Sequence, residues 1–233
     1  MEIIAEIGQN HNGDLNLAKE MIHAAKENGA EVAKFQFFDT KTLFPKENNP
    51  WYEHNLAAEL SKEEMESLFE LCQRIGIEFM SSAFDPERVR WLEEMGVKRH
   101  KMASRSISDQ NLSESLQKTG KPLLVSLGYW EKEGLPEISS SGGVRFLHCI
   151  SEYPTTPEKV RLESIDFSGK VEGFSDHTLG ISASMAALSR GATVIEKHFT
   201  MDKEMDGPDH SCSITPAELQ QLSEFRNDLR MIL

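Results

Sequence analysis

Short apolar segments alternate with amphipathic segments along the whole chain. The apolar segments predict strands at 2–8, 32–38, 78–84, 99–104, 122–128, 144–150, 171–177 and 193–199. Apolar residues recur at helical spacing between them, which predicts helices at 15–29, 62–75, 86–95, 109–119, 180–191 and 215–231. Strands separated by helices pair in parallel through crossover connections, and their nearly continuous apolar character suits a sheet buried on both faces.

This order of elements predicts an α/β fold, a closed (β/α)8 TIM barrel that occupies residues 1–233 as one domain. A doubly wound open sheet is the alternative. The fifth helix is expected to be shortened or missing, because residues 129–143 contain Pro136 and a Ser/Gly-rich end. Only a short helix is expected between residues 158 and 165. Neither a linker nor an internal repeat interrupts the chain.

Composition narrows the class of protein. The formal net charge of −13, without a local cluster of Lys or Arg, argues against nucleic acid as a partner. No apolar stretch approaches the roughly 18 residues of a membrane span, and the N-terminus does not resemble a secretory signal. The three cysteines lack short-range spacing, so we expect free thiols in a cytoplasmic protein and neither disulfides nor a cysteine zinc site.

Polar side chains gather where the predicted strands end. Barrel enzymes build their active sites at the C-terminal ends of the strands. The residues found there are Glu6, Lys34, Gln36, Ser82, Lys101, Ser104, Ser126, Ser151, Ser175, His177, Glu196 and His198. Strand residues two apart share a face. Lys34 therefore faces the same way as Gln36, whereas Lys197 is expected to point outward, away from Glu196 and His198.

The two histidines end consecutive strands. Neighbouring parallel strands lie about 4.8 Å apart, so His177 and His198 can reach one point above the barrel mouth. Two neutral imidazoles with open coordination positions suit a divalent ion that also accepts substrate oxygens. The alternative is that each is a hydrogen-bonded histidine of the core or rim.

The lysines inside strand segments need a separate explanation. Lys34 and Lys101 lie in apolar segments, and a lysine is rarely buried without a partner. A phosphate or carboxylate site is one explanation, supported by the Ser82 and Ser104 hydroxyls. Pairing with a carboxylate such as Glu6, or extension to the barrel rim, is the other. The sequence also leaves the Trp51, Tyr52 and His54 segment open, either as a lid or as a packed loop.

Taken in order, these segments resemble one family. "IAEIGQNHNG", "VAKFQ", "KMAS", "HCISEYP", "GFSDHTLG", "IEKHF" and "GPDHSCS" are similar to the motifs of the N-acetylneuraminate (sialic acid) synthase family, the phosphoenolpyruvate-dependent nonulosonic acid synthases. The motifs extend from residue 4 to about residue 213, nearly the whole chain.

The resemblance implies a TIM-barrel transferase of carbohydrate biosynthesis. Such an enzyme condenses phosphoenolpyruvate with an N-acylated amino sugar aldehyde, such as N-acetylmannosamine, to give a 2-keto acid and phosphate. It implies Mn²⁺ or Mg²⁺ as cofactor, with His177 and His198 as ligands. It also implies phosphoenolpyruvate contacts at Lys34, Ser82, Lys101, Ser104 and Ser175, with a further polar contact at Ser151. Acceptor-sugar residues would be Glu6, Tyr153 and Asp209, and Glu6 would assist proton transfer.

Three features depart from the family pattern. The chain ends at Leu233, so the C-terminal antifreeze-like domain of larger members is expected to be absent. Ser106 stands where an acidic residue is common, and the fifth helix is eroded. Two protein partners stay open, a second copy of the chain and a separate antifreeze-like domain protein. The alternatives in function are a non-catalytic phosphoenolpyruvate- or metal-binding barrel or synthase subunit, and an aldolase or lyase that forms a Schiff base on Lys34 or Lys101.

Overall fold

The computed structural model describes residues 1–233 and contains a closed barrel of eight parallel strands. The strands neighbour one another in chain order, and β1 pairs with β8 to close the sheet. The strands are β1 Glu2–Gly8, β2 Val32–Phe37, β3 Glu78–Ala83, β4 His100–Met102, β5 Leu123–Ser126, β6 Val144–Cys149, β7 Val171–Asp176 and β8 Val194–His198. The predicted (β/α)8 barrel is therefore confirmed, and the open sheet is excluded.

Nine α-helices accompany the strands. They are α1 Leu15–Glu27, α2 Thr40–Leu43, α3 Tyr52–Ala57, α4 Lys62–Ile75, α5 Pro86–Met95, α6 Gln110–Lys118, α7 Pro157–Val160, α8 Ser182–Ser189 and α9 Pro216–Ile232. Short 3₁₀ turns span Ser104–Ser106, Leu162–Ser164 and His210–Cys212. None of the helices is both long and apolar enough to span a bilayer.

Local sequence signals fix the ends of the longer helices. Capping boxes start α4 at Ser61 and α9 at Thr215, where each hydroxyl and the glutamate three residues later satisfy the first backbone N–H groups. Gly76 ends α4 with a left-handed backbone (φ 73°), a conformation that glycine adopts without a Cβ penalty.

The fifth crossover contains no helix, as the sequence predicted. Residues 127–143 instead form an irregular loop tied to α6 and to the turn after it. The backbone N–H of Ser139 donates to the side chain of Gln117 (3.0 Å), and Ser140 donates to the carbonyl of Lys121 (2.5 Å). The loop's apolar side chains Leu127, Trp130, Leu135 and Ile138 pack against the core and replace the missing helix.

Two apolar regions stabilise the barrel. A large cluster fills the space between the strands and the helices. A smaller cluster fills the lower barrel interior and consists of Ile4, Val32, Met80, Leu124, Leu147 and Val194. Gly173 completes this layer, because a Cβ there would lie 2.6 Å from Leu147 Cδ2 and 2.7 Å from Val194 Cβ.

We predict that Gly173→Ala destabilises the protein by about 1–3 kcal/mol, because a methyl group would overpack the barrel interior. The free energy of unfolding by urea measures this. Gly169→Ala is the matched control, since a Cβ there meets nothing closer than 3.6 Å, and it should change stability by no more than about 0.5 kcal/mol. Equal effects for the two variants would contradict the packing described here.

Candidate active site

Charged side chains form a layer directly above the smaller apolar cluster of the lower barrel interior, called the apolar plug below. Lys34 Nζ lies 2.7 Å from Glu6 Oε2 and 3.5 Å from Glu196 Oε2, and Lys101 Nζ lies 3.7 Å from Glu196 Oε1. All four side chains are almost fully buried. Strand alternation places them here. Glu6, Lys34 and Glu196 each lie two residues beyond an apolar residue of the lower interior on the same strand, and Lys101 pairs with an apolar residue of the next strand.

Hydrogen bonds orient this charged layer. Lys101 Nζ donates to Ser126 Oγ (2.8 Å) and to the carbonyl of Met102 (3.0 Å). Ser175 Oγ donates to Glu196 Oε1 (2.8 Å), and Gln36 Nε2 donates to Glu6 Oε1 (3.0 Å). Each carboxylate thus accepts a hydrogen bond from a neighbouring strand, Glu6 from β2 and Glu196 from β7.

The two carboxyl groups differ in acidity. Burial raises the pKa of Glu6 to about 7, because its ion pair with Lys34 is offset by the negative charge of Glu196. Burial also disfavours the charged form of Glu196, but Lys101, Lys34 and the Ser175 hydroxyl outweigh it and lower its pKa to about 2. At neutral pH Glu196 is therefore ionised, while Glu6 can either hold or release a proton.

The pKa values of the two lysines shift in opposite directions. Burial lowers the pKa of Lys101, with only partial compensation from Glu196. Burial has the same tendency at Lys34, but Glu196 and Glu6 outweigh it and raise the pKa of Lys34. Lys34 is thus the more firmly charged of the two.

The two histidines lie next to each other at the top of the charged layer. Their ring centroids are 5.6 Å apart, and the ring of Tyr153 lies 4.1 Å from His177 and 5.8 Å from His198. Pairing of Ser175 with Glu196 and of Asp176 with Lys197 aligns the two strand ends. The predicted proximity of His177 and His198 is therefore present.

The histidine environments fit a divalent ion. His177 Nδ1 lies 2.7 Å from the carbonyl of Ile150, so donation there leaves Nε2 free to bind a metal, as second-shell partners of metal-binding histidines usually arrange. Burial lowers the pKa of His198 and favours its neutral form, and its buried Nδ1 has no hydrogen-bond partner; Asp209 Oδ2 lies 3.9 Å away. No three His, Cys, Asp or Glu side chains lie close enough together to hold a metal ion by themselves. Water or substrate oxygens would therefore have to complete the coordination.

Two connected cavities lie above the apolar plug. The inner cavity, of about 50 Å³, is lined by Glu6, Lys34, Gln36, Ser82, Lys101, Ala103, Ser104, Ser126, Cys149, Tyr153, Ser175, His177, Glu196 and His198. The outer cavity, of about 590 Å³, is lined by Gln9, Gln36, Phe44, Asn49, Trp51, Asn55, Phe84, Ala103, Ser104, Arg105, Tyr129, Tyr153, His198, Pro208 and Asp209. The lining residues common to both, among them Ser104, Tyr153 and His198, mark the passage between the cavities.

The structure brings together nearly all residues singled out in the sequence. Of the predicted catalytic, binding and metal residues, only two lie outside the inner cavity. Asp209 lines the outer cavity, and Ser151 lies behind Ser104, whose Oγ is 2.7 Å from its own. Ser106 is buried and lines neither cavity. Ser82 Oγ is buried without a hydrogen-bond partner, which leaves it available to a ligand.

Sequence reasoning missed several lining residues. Cys149 was interpreted only as a free thiol, although it ends β6 and its Sγ lies 3.8 Å from His177 Nδ1. Its place at a strand end was the available signal. Trp51 and Asn55 reach the outer cavity from a segment that includes the unpredicted helices α2 and α3. Trp51 belongs to the segment that the sequence left open as a lid or a packed loop, whereas Asn55 follows no predicted strand end and had no such signal.

Lys197 and Asp176 occupy the opposite face of the same strand ends. They form a fully buried ion pair (3.2 Å), and Lys197 also donates to the carbonyl of Thr178. Asp176 accepts from Thr178 and from Ser184 Oγ (2.6 Å). The outward orientation predicted for Lys197 is confirmed, and this pair holds the two histidine-bearing strand ends together.

We predict that Lys197→Met destabilises the protein by about 3–5 kcal/mol, because it leaves the carboxylate of Asp176 buried without its counter-ion. Urea unfolding measures the effect. The control is Lys46→Met, which removes an ion pair with Glu53 whose side chains are 72% and 76% exposed, and it should cost less than about 1 kcal/mol. Similar losses in both variants would show that the buried pair has no special role.

The fold and the two cavities define a class of protein, a (β/α)8 barrel with a polar, charged pocket at the C-terminal ends of its strands. Residues 21–232 match the model of the NeuB family. The chain is 39% identical over 259 residues to N,N'-diacetyllegionaminic acid synthase of Legionella pneumophila, covering 99% of this chain and 72% of that protein. It is 35% identical over 242 residues to human N-acetylneuraminate-9-phosphate synthase, covering 94% of this chain and 67% of the human protein.

A solved structure gives the same result. The crystal structure of N-acetylneuraminic acid (sialic acid) synthetase from Leptospira borgpetersenii, in complex with citrate, superposes with a TM-score of 0.88 and 32% identity, over 99% of this chain and 84% of that chain. The chain belongs to the NeuB family, as its motifs predicted. It is an enzyme of the synthase type, a transferase that forms carbon–carbon bonds.

Proposed function

We propose that this protein condenses phosphoenolpyruvate with an N-acylated amino sugar in its open-chain aldehyde form, of the N-acetylmannosamine type. The products are a nonulosonic 2-keto acid and inorganic phosphate. The observation that carries the proposal is the inner cavity, where two buried lysines and two adjacent histidines meet beneath a larger outer cavity. The names of its relatives, synthases of legionaminic and neuraminic acids, support the product class.

The inner cavity suits phosphoenolpyruvate. The ammonium groups of Lys34 and Lys101 would neutralise its carboxylate and phosphate, and the unpartnered Ser82 hydroxyl supplies a further donor. Because these groups are already fixed by Glu6, Glu196 and Ser126, they hold the enol carbon in place without reorganisation.

The outer cavity suits the acceptor sugar. Aromatic rings from Trp51, Tyr129 and Tyr153 and side-chain amides from Asn49 and Asn55 give the mixture of apolar faces and hydrogen-bonding groups that a sugar requires. Tyr153 and His198 line both cavities, so an aldehyde bound above would meet the enol carbon at the passage between them.

We propose Mn²⁺ or Mg²⁺ as the cofactor, with His177 and His198 as its protein ligands. A bound divalent ion supplies Lewis acidity toward the aldehyde oxygen. The enol carbon of phosphoenolpyruvate forms the new bond to the aldehyde carbon, and the aldehyde oxygen takes a proton. Water then adds at C2, and phosphate leaves with cleavage of the C–O bond. Glu6, with a pKa of about 7, can hold or move the proton that these steps exchange.

In this proposal Gln36 and Glu196 lie beside the bound substrate. The hydroxyl groups of Ser104, Ser151 and Ser175 lie near its phosphate or carboxylate. Glu196 holds both lysines and accepts from Ser175, so it positions the cationic groups. We also propose a cytoplasmic location, because the proposed substrate phosphoenolpyruvate is a metabolite of the cell interior.

We predict that phosphate release requires phosphoenolpyruvate, a divalent ion and an N-acylated amino sugar together. His177→Ala should lower the rate by about a hundredfold or more, because it removes one of two protein ligands of the ion. A panel of amino sugars, assayed for phosphate with Mn²⁺ or Mg²⁺ and after chelation, measures this. In a separate thermal unfolding measurement, Mn²⁺ should raise the Tm of the parent protein and not of His177→Ala.

His23→Ala is the matched control, because His23 is exposed on α1 and lines neither cavity. It should retain both the activity and the metal-dependent Tm. A folded, metal-loaded protein that releases no phosphate with any sugar of the panel would contradict the proposed function.

A further inference from the structure

The outer cavity has one permanently charged cation on its wall. Arg105 is its only Lys or Arg, and Asp209 is its only carboxylate. The other polar lining groups are amides, hydroxyls, the indole of Trp51 and the imidazole of His198. Arg105 therefore sets the sign of the local charge on its side of the cavity.

Arg105 is exposed at the cavity wall and has no ion-pair partner. Its guanidinium lies over the ring of Phe44, 4.7 Å from the centroid, and it makes one long hydrogen bond of 3.4 Å to the carbonyl of Leu43. No carboxylate lies within 4 Å, and Asp209 does not pair with it. A guanidinium carries five N–H donors, so most of them stay available to a ligand.

The charge of the whole molecule makes this arrangement informative. A protein with a net charge of −13 repels anions at long range, so binding an anion requires a local cation. Six other arginines pair with carboxylates, as Arg99 does with Glu2 and Glu78. Arg105, which is exposed at the wall of a cavity, has no such partner, so no paired carboxylate offsets its charge there.

Arg105 lines the outer cavity but not the inner one. It directly follows Ala103 and Ser104, which line both cavities. It is therefore separated from the lysines that would bind phosphoenolpyruvate, and it faces the volume that the acceptor sugar would fill.

We propose that Arg105 is a specificity-determining residue, which binds an anionic group, a phosphate or a carboxylate, carried by the acceptor sugar away from its aldehyde. The planar guanidinium can bind either group through two parallel hydrogen bonds. The preferred acceptor is then an anionic N-acylated amino sugar rather than a neutral one. This inference rests on the proposed function for the identity of the cavity's occupant.

Three acceptors test it: N-acetylmannosamine, its 6-phosphate and the corresponding 6-uronic acid. The parent enzyme should show kcat/KM about tenfold or more higher for one of the two anionic sugars than for the neutral one. The better of the two identifies the anionic group as phosphate or carboxylate. Arg105→Gln should bring this ratio close to one, and Arg105→Lys should leave part of the preference, since a lysine keeps the charge without the planar fork.

Arg74→Gln is the matched control, because it removes one positive charge from an exposed position in the last turn of α4. It should leave the ratio unchanged. A parent enzyme that prefers the neutral sugar would overturn the proposal. An equal loss for all three acceptors in Arg105→Gln, or an increase confined to the KM for phosphoenolpyruvate, would also overturn it.

A binding measurement separates this inference from the proposed function. The anionic sugar should raise the Tm of the parent protein and of Arg74→Gln, but not of Arg105→Gln. If no sugar is turned over and this pattern still holds, the proposed function fails and the anion site at Arg105 stands. If the neutral sugar is turned over best and Arg105→Gln changes nothing, the proposed function stands and the anion site fails.

Discussion

Two lysines and two carboxylates share the upper interior of a barrel whose lower interior is hydrocarbon. Taking charges out of water costs several kcal/mol for each ion, and the mutual attraction of Lys34, Lys101, Glu6 and Glu196 offsets that cost only because the geometry is closely fixed. Apolar side chains of similar volume would stabilise a barrel at least as well. The cluster therefore makes physical sense as a preorganised site for an anion, held ready by Glu196 and the surrounding hydroxyls.

The rest of the molecule supports this cluster from both sides. Below it, the small apolar layer around Met80 and Leu147 closes the barrel beneath the lysines. Behind it, the buried Asp176–Lys197 pair fixes the strand ends that carry His177 and His198. Above it, the outer cavity widens and changes in character to aromatic rings and amides. In the proposed function, the inner cavity binds phosphoenolpyruvate and the outer cavity binds the acceptor sugar.

Strand periodicity explains why so much of this could be predicted from the sequence. Once Lys34, His177 and Glu196 were placed at strand ends, alternation alone assigned them to the interior and Lys197 to the outer face, and the structure agrees. The missing fifth helix was likewise visible in Pro136 and the serines that follow. Loop residues were different. The positions of Trp51, Asn55 and Arg105 depend on how α2, α3 and the turn after β4 fold over the barrel, and no local pattern encodes that. The difference in pKa between Glu6 and Glu196 arises because Glu196 lies near both lysines and accepts from Ser175, while Glu6 pairs with Lys34 alone and faces the negative charge of Glu196; no sequence pattern predicts this arrangement.

The central claim is that the buried lysines bind phosphoenolpyruvate, and calorimetric titration of that ligand in the absence of sugar tests it directly. We expect Lys101→Met to weaken binding by about thirtyfold or more, since it removes a buried charge that faces the anion. Lys118→Met, which removes a lysine that is 78% exposed, should leave the affinity unchanged. If Lys101→Met is folded, as judged by its urea transition, and binds phosphoenolpyruvate as tightly as the parent protein does, the charged layer is not the substrate site.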